Sequence, residues 1–161
     1  MKEIPLTRGR VAIVNDEDYE WLSQWKWHCS YYGYAVRDSS RLLGKQKLWM
    51  HRVILNAPSD MECDHKDHDK LNNQRANLRL CTRTENNCNA QKPHTNTSGY
   101  KGVGFHKQTG KWRARIKINR KEKHLGLFAD ALNAAYAYDD AARELFGDFA
   151  FTNFEVNNNV T

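Results

Sequence analysis

A short run in the middle of the chain holds most of its chemically capable side chains. Cys63-Asp64-His65 sets a carboxylate beside an imidazole, and Asp67, His68 and Asp69 follow in a polar loop. Asn72, Asn73 and Asn77 come next, and Thr84-Glu85-Asn86-Asn87 closes the run. A carboxylate and an amide oxygen are hard donors, suited to a divalent cation such as Mg²⁺ that keeps most of its water. A neutral imidazole beside that cation can deprotonate an attacking water, because its pKa lies near working pH. Together these are the parts that phosphodiester hydrolysis needs: an activated water, and a cation to stabilise charge on the phosphate and the leaving oxygen. Asp67, His68 and Asp69 read as loop charge, and His51 as a packing or phosphate-contacting residue. His28, His94, His106 and His124 lie outside the metal set.

The elements needed to gather those groups are legible around them. A short strand ending in Asp64-His65 enters the polar loop, and Asn77-Leu-Arg-Leu-Cys-Thr82 alternates as the returning strand. Thr84, or Thr82 before it, caps a helix carrying Glu85, Asn86 and Asn87. Strand, strand and helix in this order bring Asp64, His65 and Asn86 towards one concave point. Upstream, Val11–Val14 reads as a strand and Asp16 as the cap of a helix over Glu17–Gln24. Trp25–Val36 reads as a hairpin with Gly33 near its bend, and Leu48–Leu55 as a short amphipathic helix. A hairpin and one helix make too small a core to stand alone, so residues 1–58 are expected to complete the same fold.

This arrangement resembles the HNH nuclease family, in particular the His-Asn-Asn branch found in homing endonucleases of phages and introns. The resemblance rests on Asp64-His65, on Asn77 in Arg75-Ala-Asn-Leu-Arg79, and on Asn86, nine residues on, in Thr84-Glu-Asn-Asn87. It implies that Asp64 and Asn86 hold the metal, that His65 is the general base, and that Asn77 braces the hairpin and orients His65. An Asn at the third signature position, where the commoner pattern has His, removes an imidazole ligand and favours Mg²⁺ or Mn²⁺ over zinc. Asn87 is a neighbouring alternative to Asn86.

From Gly99 the pattern changes. Tyr100–Phe105, Lys111–Ile118 and Lys123–Phe128 read as three strands, with turns at Thr109-Gly110 and Asn119-Arg120. In the middle strand Trp112, Ala114, Ile116 and Ile118 share one face, and Arg113, Arg115 and Lys117 the other. Asp130–Phe146 reads as a helix, with Asp130 as its N-cap and Gly147 just past its end. Ala134, Ala135, Tyr138, Ala141, Ala142 and Leu145 recur on one side of it, ready to lie against the apolar face of the sheet. The basic face is then left open.

This stretch is similar to the plant ethylene-response-factor (APETALA-type) DNA-binding domain. The matching residues are Tyr100-Lys-Gly-Val103, Gly110-Lys-Trp-Arg-Ala-Arg-Ile116, Leu125-Gly-Leu-Phe128, Ala134-Ala-Tyr-Ala-Tyr-Asp139, Ala141-Ala142 and Asn153-Phe154. The resemblance implies a sheet laid in the major groove of double-stranded DNA, a known use of strands as readers. Carried over by position, contacts come from Lys101, Arg113, Arg115, Lys117 and His124, with His106 and Lys107 in the first turn. That turn has one extra residue and lacks the family's Arg-Pro-Trp, and His124 stands where the family has a tryptophan.

The expected fold is therefore α+β: a ββα-metal (HNH) nuclease module followed by a three-stranded antiparallel sheet packed on one helix. Residues 1–90 form the nuclease domain, with an N-terminal αβ part over 1–58 and the ββα-metal core over 59–90. Residues 91–98, polar and without periodicity, form a linker. Residues 99–155 form the DNA-binding domain, and Val156–Thr161 is expected to fray.

Bulk properties agree with a polyanionic partner. The 161 residues carry a formal charge of +6 and a pI of about 9.2. The charge is not spread evenly. Between Ser98 and Phe128 lie nine Lys or Arg against the single acid Glu122, a net +8, so the rest of the chain sums to −2. A positive strip suits phosphate contact, because each neutralised phosphate releases a condensed counterion. Cys29, Cys63, Cys81 and Cys88 form no CxxC pair, and read as reduced thiols rather than as disulfides or zinc ligands. No apolar run reaches the roughly 20 residues of a membrane span, and Met1–Arg10 has no signal-peptide core. A cytoplasmic protein of a bacterial or phage-infected cell is expected, as monomer or homodimer. Two other functions compete: a catalytically inactive DNA-binding transcriptional or architectural regulator, and an RNA-binding accessory protein. Intact Asp64, His65, Asn77 and Asn86 argue against the first. The absence of an exposed aromatic pair on the basic face argues against the second.

Overall fold

A computed structural model describes residues 1–39, 46–90, 92, 95–118 and 121–154. The turn expected at Asn119-Arg120, three residues of the expected linker (Gln91, Pro93 and His94) and the tail Val156–Thr161 lie outside the described residues. The chain divides into two compact units, Met1–Asn86 and Asn87–Thr161. The division runs through a helix, upstream of the polar stretch 91–98.

The first unit opens with a hairpin of β1 (Lys2–Pro5) and β2 (Val11–Val14), followed by α1 (Asp16–Leu22). A three-stranded antiparallel sheet follows, from β3 (His28–Cys29), β4 (Ala35–Asp38) and β5 (Lys47–Trp49) in that order. Then come α2 (Met50–Ile54), the hairpin of β6 (Glu62–His65) and β7 (Leu78–Cys81), and α3 (Arg83–Asn89). Ile4, Ala12, Val14, Leu22, Trp27, Met50, Ile54 and Leu78 are buried in one cluster. The N-terminal segment and the β6–β7 hairpin therefore share a core, which neither is large enough to build alone.

Three local differences from the sequence reading have physical causes. The first helix begins at Asp16 with Asn15 at its cap position, and the Asn15 side chain caps nothing in the helix. Its Oδ1 accepts instead from the Arg75 backbone N–H, 2.8 Å away. The helix also stops at Leu22, where the Leu22 carbonyl accepts from the Trp27 indole at 2.9 Å. The segment expected as one helix over Leu48–Leu55 starts as a strand, because Leu48 and Trp49 pair with Arg37 and Val36 of β4.

The second unit is an antiparallel sheet of β8 (Val103–His106), β9 (Lys111–Ile118) and β10 (Lys121–Phe128), ordered β10-β9-β8 and covered on one face by α4 (Ala131–Phe146). The cap expected at Asp130 is present: its carboxylate accepts from the Asn133 backbone N–H at 2.7 Å. Ala134, Ala135, Ala141 and Ala142 are buried, as are Ala114 and Ile116 on the facing strand. Small side chains let the helix sit close to the sheet. Leu145, expected on that side, is 37% exposed, and Phe146 packs on the cluster instead. The first strand begins at Val103 rather than Tyr100, because Lys101 and Gly102 turn. Gly102 has φ +77°, and a Cβ there would come within 2.0 Å of the Tyr138 ring. Fully buried Asp139 ties the chain end to the helix, accepting from the Asn153 and Phe154 backbone N–H groups.

Candidate active site and nucleic-acid interface

The loop between β6 and β7 is pinned from two sides. From below, β2 grips it. Ile13 N donates to Leu71 O at 2.8 Å, and Asn73 N donates to Ile13 O at 2.7 Å. Arg75 forks onto Asp18 of α1 at 2.8 and 2.7 Å, and that carboxylate is buried. From within, Asn77 and Asp67 bind each other. Asn77 Nδ2 donates to Asp67 Oδ1 and to Asn72 O, both at 2.8 Å, and Asn77 Oδ1 accepts from Asp67 N at 3.1 Å. Asp67 also accepts from Asn72 Nδ2 at 2.7 Å and from Asp69 N at 2.9 Å. Partial burial works against its ionisation, yet these bonds hold its carboxyl below the ordinary range.

Asp64 and His65 end β6, and both are buried. Asp64 lies opposite Arg79 of β7, and the guanidinium grips its Oδ2 through Nε at 2.8 Å and a terminal nitrogen at 2.6 Å. On the same side, two residues earlier, Glu62 Oε2 accepts from Asn86 Nδ2 at 2.5 Å. Asn86 reaches it from α3, whose start is a reciprocal capping box. Glu85 N donates to Thr82 Oγ1 at 3.3 Å, and Thr82 N donates to Glu85 Oε2 at 2.7 Å.

His65 sits among rings. Its centroid is 5.1 Å from that of His51 and 5.9 Å from that of Tyr34. His65 Nε2 is buried with no hydrogen-bond partner among the described residues, and so is His51 Nδ1. Burial pushes the His65 imidazole below its ordinary value, opposed by the Asn73 amide and the nearby carboxylates. Burial, reinforced by His65, pushes His51 down to about 3.

The structure thus sets Asn86 beside Glu62, on the side of β6 that carries Asp64, and sets His65 among His51 and Tyr34. Asn77 lies in the loop network, one strand position from Leu78, the partner of His65. Arg79, Glu62, Asp67, Asn73 and Tyr34 join the site without having been singled out. For Glu62 and Arg79 the signal was present: both share the strand parity of Asp64. Among the described residues no group of three or more His, Cys, Asp or Glu is gathered to hold a metal. Burial pushes the Cys63 thiol up and that of Cys81 to about 12. The carboxylate and amide on this strand and helix are hard oxygen donors, of the kind that suit a hydrated cation needing one or two protein ligands.

In the second unit, strand pairing defines the basic face. Arg113, Arg115 and Lys117 share one side of β9, with His124 and Glu122 of β10 opposite Arg115 and Lys117. His106 stands opposite Lys111, which the same alternation adds to the face. Arg115 is bonded to Glu122 at 2.8 Å, half exposed. His106 Nδ1 is 2.9 Å from Thr109 Oγ1, and Lys107 is exposed in the turn. Lys101 differs from its neighbours: its ammonium donates to the Cys88 and Ala90 carbonyls at 2.8 and 2.6 Å. Burial lowers its pKa to about 8. That ammonium closes the end of α3.

A unit with a strand–strand–helix segment bearing Asp-His and Asn, followed in the chain by a unit with one basic sheet face, defines a nuclease-type protein built to meet nucleic acid. Comparison with known proteins agrees. Residues 49–88 match the HNH endonuclease family model. The HNH endonuclease L560 of Acanthamoeba polyphaga mimivirus is 33% identical over 150 residues, covering 91% of this chain and 76% of that protein. Protein 3.8 of Escherichia phage T7 is 36% identical over 93 residues, 58% of this chain and 76% of that protein. The chain belongs to the HNH endonuclease family, whose members are nucleases acting on DNA. It also carries an AP2-like region. The AP2-like ethylene-responsive transcription factor AIL7 of Arabidopsis thaliana is 48% identical over 60 residues, 36% of this chain and 12% of that protein. No described helix is long and apolar enough to cross a membrane.

Proposed function

We propose that the chain is a metal-dependent endonuclease for double-stranded DNA, of nicking or homing type, seated on the duplex by the sheet of residues 99–155. The observation that carries this reading is His65. It is a buried imidazole, one residue after Asp64, with Nε2 lacking a hydrogen-bond partner among the described residues. In this reading Asp64 and Asn86 hold Mg²⁺ or Mn²⁺ in a ββα-metal core, and the bound cation supplies Lewis-acid stabilisation of the phosphate and leaving oxygen. His65 is neutral at working pH because burial disfavours its cation, so it can accept the proton of the attacking water. Asn77 and Asp67 keep the loop after His65 rigid, and Arg79 fixes the Asp64 carboxylate. Arg113, Arg115, Lys117 and His124, with Lys107 and His106 at the turn, face the duplex. In this reading the chain acts in the cytoplasm of a bacterial or phage-infected cell.

The grip of two Arg79 nitrogens on Asp64 Oδ2 favours one second reading, a DNA-binding regulator in which that carboxylate never takes a metal. Plasmid nicking separates the two. Supercoiled DNA should be nicked with Mg²⁺ or Mn²⁺, protected by EDTA, and left intact by His65→Ala. Retardation of DNA without nicking in either metal would withdraw the roles given to Asp64, His65 and Asn86.

A further inference from the structure

The Asn86 amide has two ends of similar shape and opposite chemistry. Only Oδ1 can ligate a hard cation, and Nδ2 repels one. Rotation about the last side-chain torsion exchanges them, so a ligating Asn needs something to choose its orientation. Glu62 Oε2 lies 2.5 Å from Asn86 Nδ2. A carboxylate accepts and cannot donate, so the reversed amide would set two acceptors face to face. Glu62 is itself well placed to act. It stands two residues before Asp64 on the same side of β6, opposite Cys81, about a third exposed, with Arg83 Nε 4.0 Å from its other oxygen. Neither the Asp-His pair nor the spacing of Asn77 and Asn86 involves it.

We propose that Glu62 is a positioning residue, which holds the Asn86 amide with its oxygen turned towards the cation that Asp64 and Asn86 share. This rests on the reading of Asp64 and Asn86 as the metal-holding pair. Outer partners of ligating groups commonly matter at about 10- to 100-fold in metal affinity. Glu62 acts on Asn86 alone, so its contribution disappears when Asn86 is absent.

The test is a titration of the full-length chain with Mn²⁺ alone, followed by the electron spin resonance of free Mn²⁺, with nicking rates measured in parallel. Glu62→Ala should weaken Mn²⁺ binding about tenfold or more. Glu62→Gln, whose amide oxygen still accepts from Asn86, should stay within about threefold of wild type. Glu62→Asp keeps the charge but withdraws the acceptor by a methylene, and should behave like Glu62→Ala. In an Asn86→Ala background, Glu62→Ala should add nothing, since removing one partner cancels the other's effect. Wild-type affinity in both Glu62→Ala and Glu62→Asp overturns the proposal. So does a Gln variant as weak as the Ala variant, which would make Glu62 a ligand or a bare charge. If Asp64→Ala and Asn86→Ala both bind Mn²⁺ as wild type does, the metal-holding pair itself is wrong, and Glu62 falls with it.

Discussion

Asn77 makes three hydrogen bonds into the loop after His65, two with Asp67 and one to the Asn72 carbonyl. Asn77→Ala removes all three and frees the Asp67 carboxylate from one of its donors. Loss of such bonds at a partly buried site costs about 1–3 kcal/mol, and looseness at a reacting centre costs rate disproportionately. Single-turnover nicking should fall at least about tenfold, with a lowered urea midpoint. A variant cutting within twofold of wild type would show that the loop does not set the geometry of His65. Asn77→Asp should do no better, because a second carboxylate cannot donate to Asp67. Of this pair, Asn77 was visible in the sequence through its spacing from Asn86. Asp67 was not, because an Asp in a polar loop looks the same whether it is solvated or bonded four ways. Only the fold reveals which.

At the level of elements, α2 carries His51 into the ring cluster with Tyr34, Trp49 and His65. Its folded pKa of about 3 lies below the unfolded value. The unfolded chain therefore binds the proton more readily, and the stabilising contribution of neutral His51 is present above about pH 6.5 and lost progressively as pH falls towards 3. Urea midpoints of the wild type should drop between pH 7 and pH 5, and less steeply in His51→Phe. Equal slopes would mean that His51 is not held neutral by burial. Lys101 gives the matching case in the second unit. Its folded pKa is depressed to about 8, so wild-type stability should rise relative to Lys101→Met between pH 8 and 10. The rise should be smaller than the full ~1.4 kcal/mol per unit, because the ammonium stays partly wet. Most elements were legible beforehand: the β6–β7 hairpin, α3, β9 and α4 follow from alternation, helical spacing and caps. The exceptions share one cause, which is long-range pairing. Leu48-Trp49 read as helix until β4 claimed them, and Asp16 read as the cap of α1, whereas Asn15 holds the cap position and Arg75 draws its side chain away from the helix. A sequence window records propensity and period but not the partner that arrives from 11 or 60 residues away.

For the whole molecule, the uneven charge sets the last test. The strip Ser98–Phe128 carries +8 while the remaining chain is slightly acidic, so affinity for DNA should come from the sheet and chemistry from the first unit. Binding driven by phosphate contacts weakens linearly with log salt, by a slope of about −0.9 per phosphate neutralised on duplex DNA. Arg113→Ala with Lys117→Ala removes two charges from the open face, neither in an ion pair among the described residues, unlike Arg115 with Glu122. The slope measured by fluorescence anisotropy should shrink by about two, while nicking at saturating DNA and low salt stays close to wild type. Lys101→Ala should leave the slope unchanged, because that ammonium is bound to backbone carbonyls. A slope that answers to Lys101 but not to Arg113 and Lys117 would place the duplex on a different face of the second unit. A slope indifferent to all three would move the phosphate contacts to the first unit, and the basic sheet would then need another purpose.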